Sequence, residues 1–154
     1  VLEAAEIPVL SDKHPVIGET VEILDRKFDF TCVSMGNPHA VTFVENVMEY
    51  PIEKYGRVSE FHPIFPDRVN TEFVQVLNRH EVNMRVWERG SGETLACGTG
   101  TCATVVACVL NGLTEDEITV HLLGDDILVK YDRDNDTVWM TGPAAIAFEG
   151  TIEI

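Results

Sequence analysis

Residues 88–112 read ERGSGETLACGTGTCATVVACVLNG, and the two halves of this stretch do not match. Glu88 to Thr94 is polar and broken by Gly90 and Gly92. From Leu95 to Leu113 there is no charged residue, in a chain of which 24% is charged. Gly98 and Gly100 mark the mouth of this segment, and Asn111-Gly112 reads as a C-terminal stop. Thr101 to Leu110 is small or apolar on every side, and a helix with no polar face is a buried one. A helix of roughly 12 residues spans about 18 Å, too short for a bilayer. The stretch therefore predicts a short helix enclosed by its own domain, with Cys97 at its mouth.

That placement carries chemical meaning. The first turn of a helix offers unpaired N–H groups and about half a positive charge. Glycines there let a carboxylate approach the backbone. The same field makes a thiol more acidic, so Cys97 is expected to be reactive; the alternative is a small buried hydrophobe. An anion cradle beside a thiolate suits removal of a proton next to a carboxylate.

Outward from this helix, the 154 residues fit one domain able to bury a core. A net charge of −15 argues against nucleic acid and anionic membranes as partners. No apolar run reaches membrane length. The chain begins with Val1 and not Met, which reads as part of something larger or a processed product. Cys32, Cys97, Cys102 and Cys108 form no CxxC pair and no metal-ligand spacing with histidine. Free thiols, a reducing compartment and no metal are expected.

Alternation predicts strands at Thr20–Leu24, Phe28–Met35, His39–Val44, Glu72–Leu77 and Glu81–Glu88. In the last of these, Val82, Met84, Val86 and Glu88 share a face, so Glu88 closes an apolar row. Ile52, Tyr55, Val58 and Phe61 recur at helical spacing behind Pro51. Beyond the buried helix, Glu117–Leu123, Asp126–Tyr131, Thr137–Met140 and Ile146–Ile154 read as further strands. The expected class is α+β: a mostly antiparallel, barrel-like sheet wrapped around one central buried apolar helix.

Four segments carry a family resemblance. GNPHAV (Gly36 to Val41), FPDRVNTEFV (Phe65 to Val74), RVWERGSGETLACGTG (Arg85 to Gly100) and MTGPA (Met140 to Ala144) resemble diaminopimelate epimerases in order and spacing. The resemblance covers residues 1–154 as a single domain and corresponds to the C-terminal half of that family. It implies that residues 143–154 return to an N-terminal half, which supplies a second cysteine. It also implies cofactor-independent interconversion of LL- and meso-diaminopimelate, with two cysteines on opposite faces of the α-carbon, in a cytoplasmic homo-oligomer of the lysine and peptidoglycan precursor route.

By the same resemblance, Cys97 is one acid/base cysteine, and Gly98 and Thr99 are backbone donors to the reacting carboxylate. Asn37 and Asn70 are substrate-binding amides and Arg89 holds the distal carboxylate. Glu88 and His39 tune the thiols, and Phe148 lies at a subunit interface. Read without the family, Asn37 before Pro38 suits a turn equally well, and Asn70 suits a strand end. Cys102 and Cys108 read as packing. A racemase of another amino acid, similar to proline racemases, and a non-catalytic carboxylate-binding domain are the alternatives.

Overall fold

The computed structural model describes residues 1–153; position 154, the last residue of the expected final strand, lies outside them. Eleven elements follow one another in these residues. They are β1 (Glu19–Ile23), β2 (Arg26–Ser34), β3 (Pro38–Phe43), α1 (Ile52–Glu60), β4 (Asn70–Asn78) and β5 (Glu81–Glu88). Next come β6 (Gly92–Thr94), α2 (Gly98–Leu110), β7 (Glu117–His121), β8 (Asp126–Asp132) and β9 (Thr137–Thr141).

The strands form one mixed sheet in the order β1-β2-β3-β4-β5-β7-β8-β9, with β6 paired to β5. Hairpins make most neighbours antiparallel, while β3/β4 and β5/β7 are parallel. Each parallel pair needs a crossover, and the two crossovers carry α1 and α2. Because β4 and β5 run in opposite directions, crossovers of the usual right hand fall on opposite faces. The packing agrees. One core gathers Phe28, Phe30, Ala40 and Phe73 with Ile52 and Tyr55 of α1. The other gathers Val41, Val74, Met84 and Val86 with Ala103 to Val109 of α2.

The expected barrel-like closure is corrected here: the sheet is open, with β1 and β9 at its ends. Both its faces carry a helix, so closure is not needed to bury them. The expected strand over 146–154 is corrected too. Residues 142–153 form no strand, and Ile146, Phe148 and Ile152 are more than 80% exposed. Their alternation is met by no strand pairing among the described residues.

Helix α2 is buried from Gly100 to Val109 and packs on β8, β2, β3 and β4. Its ends obey the sequence signals. Gly112 takes φ +68, and the Leu113 N–H reaches back to Cys108 O at 3.0 Å, closing the last turn. The Asn111 side chain donates to Ala107 O at 2.8 Å and to Thr31 Oγ1 at 2.9 Å, tying the helix end to β2. Among the described residues no helix is long and apolar enough to cross a membrane.

Candidate active site

Cys97 is the N-cap of α2. Its backbone is extended (φ −141°, ψ 106°), and its Sγ accepts from the Gly100 N–H at 3.4 Å. Cys97 O accepts from both the N–H and the hydroxyl of Thr101, at 2.8 and 2.7 Å. The sulfur thus does what a Ser or Asp oxygen does at other helix starts. Only 7% of Cys97 is exposed, and it lines a depression of ≈ 520 Å³ with Glu88, Gly98, Thr99, Cys102, Met35 and Met140. A larger open depression of ≈ 980 Å³ lies elsewhere, between Arg26, Phe43, Tyr50 and Asn111. It contains no cysteine and is lined by charges of both signs.

The expected acidic thiol is corrected. Burial pushes Cys97 up to about 11, and the carboxylates of Glu72 and Glu88 push the same way. The hydrogen bonds from Gly100 N–H and Thr99 oppose them without overcoming them. A helix N-terminus lowers a thiol's pKa only while the sulfur keeps some solvent. Cys108 is buried deeper and raised to about 12. Cys102, read from sequence as packing alone, opens onto the same depression as Cys97.

Behind Cys97 lies a buried polar row. Sheet alternation turns His39 of β3 and Glu72 of β4 toward α2, and both side chains are fully buried. His39 Nδ1 is 2.6 Å from Glu72 Oε1, and His39 Nε2 is 3.0 Å from Asn37 Oδ1. Asn37 Nδ2 donates to Thr99 Oγ1 at 3.3 Å, and Thr99 Oγ1 is 3.7 Å from Cys97 Sγ. Burial pushes the Glu72 carboxyl up while the His39 ring pulls it down. A Cβ on Gly100 would meet Glu72 Oε1 at 2.7 Å and Cys97 Sγ at 3.1 Å, so only glycine lets α2 begin this close to the sheet.

Asn70 and Arg89 do not line the depression. The Asn70 amide is buried and occupied: it donates to Pro38 O at 2.9 Å and accepts from the Arg89 N–H at 2.9 Å. The Arg89 guanidinium donates to Asp67 O at 2.9 Å. The next peptide is held by Glu60 of α1, whose carboxylate accepts from Gly90 N–H at 2.8 Å and Trp87 Nε1 at 2.9 Å. Thr94 donates its hydroxyl to Glu88. Phe148 is 85% exposed, on the segment that forms no strand.

The structure therefore brings together Cys97, Gly98, Thr99 and Glu88, backs them with Asn37 and His39, and leaves Asn70 and Arg89 out of the lining. The sequence reading missed Glu72 and Glu60. Glu72 had a signal: it alternates with Val74 and Val76, so strand β4 was bound to turn it inward. Glu60 had none, since a carboxylate on an amphipathic helix is ordinarily solvated. Among the described residues no group of three or more His, Cys, Asp or Glu converges as a metal-ligand set.

Residues 31–147 match the profile of a family described as diaminopimelate epimerase. A diaminopimelate epimerase of Methanococcus maripaludis is 53% identical over 154 residues, covering 100% of this chain and 56% of the relative. Another, of Acetivibrio thermocellus, is 54% identical over 154 residues, covering 100% of this chain and 55% of the relative. The chain spans about half the length of the curated relatives it matches. Its backbone also resembles a Bacillus anthracis phenazine biosynthesis protein of the PhzF family. That likeness has a TM-score of 0.52 at 21% identity, over 79% of this chain and 40% of the other, and it speaks for the fold alone.

Proposed function

Since the chain belongs to the diaminopimelate epimerase family, we propose that it is the C-terminal half of a cofactor-independent epimerase that interconverts LL- and meso-diaminopimelate. The observation that carries this reading is Cys97 capping α2 at the mouth of a depression that Gly98, Thr99 and Glu88 also line. The substrate α-carboxylate sits on the N–H groups of Gly98 and Thr99, where the helix field favours an anion. This places the α-carbon against the Cys97 sulfur.

Inversion moves two protons. A thiolate on one face takes the α-proton, forming S–H as the C–H electrons pass to the α-carbon and its carboxylate. A thiol on the opposite face gives its proton to that carbon and becomes the thiolate. Burial favours the protonated form of Cys97, and as a thiol it supplies the acid for one direction and, as a thiolate, the base for the other. The opposing cysteine belongs to the other half of the enzyme. Arg89 exchanges its bond to Asp67 O for the distal carboxylate, which its planar fork suits. Glu88 and His39 act as polar groups that tune thiol protonation.

The test is Cys97→Ala in the enzyme that contains both halves. Interconversion of the two stereoisomers, followed by chiral chromatography in D2O, is expected to fall by at least about a thousandfold, since no acid remains on that face. Turnover within tenfold of the parent would overturn the reading.

A further inference from the structure

Glu72 has no part in the chemistry above, yet it is a fully buried carboxyl directly beneath the first turn of α2. Its Oε2 has no hydrogen-bond partner among the described residues, and its Oε1 lies 2.6 Å from His39 Nδ1. From there the polar contacts run outward in one line: His39 Nε2 to Asn37 Oδ1, Asn37 Nδ2 to Thr99 Oγ1, and Thr99 Oγ1 to Cys97 Sγ. We propose that Glu72 is a positioning residue that sets the donor direction of this line, so that the Thr99 hydroxyl donates to the Cys97 sulfur. The inference rests on Cys97 being the acid/base thiol, and its readouts below do not involve turnover.

The direction follows from which groups can only accept. Asn37 turns its oxygen to His39 and its nitrogen to Thr99, so His39 Nε2 must carry a proton. One further proton then lies between Nδ1 and Oε1. It sits either on the ring, facing a carboxylate, or on the carboxyl, facing a neutral ring. Both arrangements leave the pair without net charge, which is what burial favours, and both leave Nε2–H pointing outward. Thr99 accepts from Asn37, so its own proton is free for the sulfur.

Without Glu72 the ring is free to move its proton to Nδ1. Asn37 would turn over to donate to Nε2, and its oxygen would then take the Thr99 proton away from Cys97. An amide in the line cannot pass a proton through, so the line orients donors and does not conduct. The titratable groups around it are Cys32 from β2, Glu72 from β4, Glu88 from β5 and Cys97 itself; both carboxylates push the Cys97 thiol up, and Glu88 pushes the Glu72 carboxyl up.

Two measurements on the 154-residue chain test this. Nitrogen-15 NMR of the histidine rings is expected to show His39 protonated at Nε2. Peptide-mapped iodoacetamide labelling gives the pH profile of Cys97. Thr99→Val is expected to slow labelling at a fixed pH by about three- to tenfold, the worth of one hydrogen bond to the thiolate. Glu72→Val also removes a carboxylate that pushes the thiol up, so the line is read by coupling: Thr99→Val is expected to slow labelling in the parent and to leave it unchanged in the Glu72→Val background. Equal slowing in both backgrounds would overturn the proposal.

Glu72→Gln keeps the shape and covers the case in which Glu72→Val does not fold. Its amide can either donate to Nδ1 or accept from it. Whichever tautomer results, the effect of Thr99→Val on Cys97 labelling must follow it: retained if Nε2–H persists, lost if the proton moves to Nδ1. A Thr99→Val effect that vanishes while the tautomer stays, or persists while the tautomer moves, overturns the assignment.

Discussion

Gly56 on α1 lies so close to Trp87 on β5 that a Cβ added to it would come within 2.5 Å of Trp87 Cβ and 2.6 Å of Cγ. Those atoms are next to the strand backbone, and the far end of the indole is fixed by its bond to Glu60. The tryptophan therefore cannot swing aside. Gly56→Ala gains up to about 1 kcal/mol of helix propensity and meets an overpacking cost of about 1–3 kcal/mol. The expected net effect is a loss on the order of 1–2 kcal/mol, read from the urea midpoint by tryptophan fluorescence. A variant as stable as the parent would show that α1 is not seated as described.

Asn70 is expected to matter to folding as much as to binding. Its side chain holds Pro38 O before β3 and the Arg89 N–H after β5, so it joins the two loops that carry the site. Asn70→Ala leaves both groups without their partner, at a cost of about 1–3 kcal/mol for each. Asn70→Asp keeps the acceptor for Arg89 N–H and loses the donor for Pro38 O. Denaturant melts should therefore rank parent above Asp, and the burial of the new charge adds to that loss. In either variant the Cys97 labelling rate should change with stability, because the loops move together.

The pH dependence of stability has a definite sign. A thiol whose folded pKa is raised contributes stability that is fully present below its unfolded value and lost as pH rises through its folded value. For Cys97 the reference value is 9.0 and the folded value about 11. Cys108 runs from 9.0 to about 12, with the same sign. The chain should hold its stability up to about pH 9 and lose it progressively toward pH 11, as judged by thermal melts. Cys97→Ala should flatten the first part of that fall. Labelling follows the same order. Cys97 and then Cys102 should react before Cys108, since the first two open onto the depression. Reaction of Cys108 first in the native chain would contradict this burial pattern.

Much of this was legible because period and composition coincide. The uncharged run from Leu95 to Leu113 became α2, and the alternation of Val82, Met84 and Val86 became the face of β5 that receives it. Glu88 at the end of that row did reach the depression. The misreadings have physical causes. Closure of the sheet depends on which strands are neighbours, and the β5/β7 pair joins residues about 38 apart in sequence, which no local period reveals. The acidity of Cys97 depends on how much solvent reaches it and on two carboxylates from other strands, neither of which its helix position encodes. Glu72 was visible as an inward strand residue, but its partnership with His39 needs the register of β3 against β4.

The segment after β9 gives the last expectation. Trp139 and Met140 on β9 are 64% and 50% exposed, and Ile146, Phe148 and Ile152 beyond it are 82%, 85% and 83% exposed. Strand β9 ends the sheet, so one edge of its backbone is unpaired within the chain. An apolar alternating segment beside an open strand edge tends to recruit a second chain. Self-association is therefore expected, with molar mass by light scattering rising with concentration. Replacing Phe148 by Asp, or removing residues 143–154, should keep the chain monomeric. Either change should leave the thermal midpoint of the monomer within about 2 °C, because exposed residues away from the core contribute less than about 0.5 kcal/mol. The same preparations should not invert diaminopimelate, since inversion needs a second thiol on the opposite face of a substrate held at Cys97. A dimer that inverts it at about 1 per second, an ordinary enzymatic rate, would mean that a cysteine of this chain serves the second face.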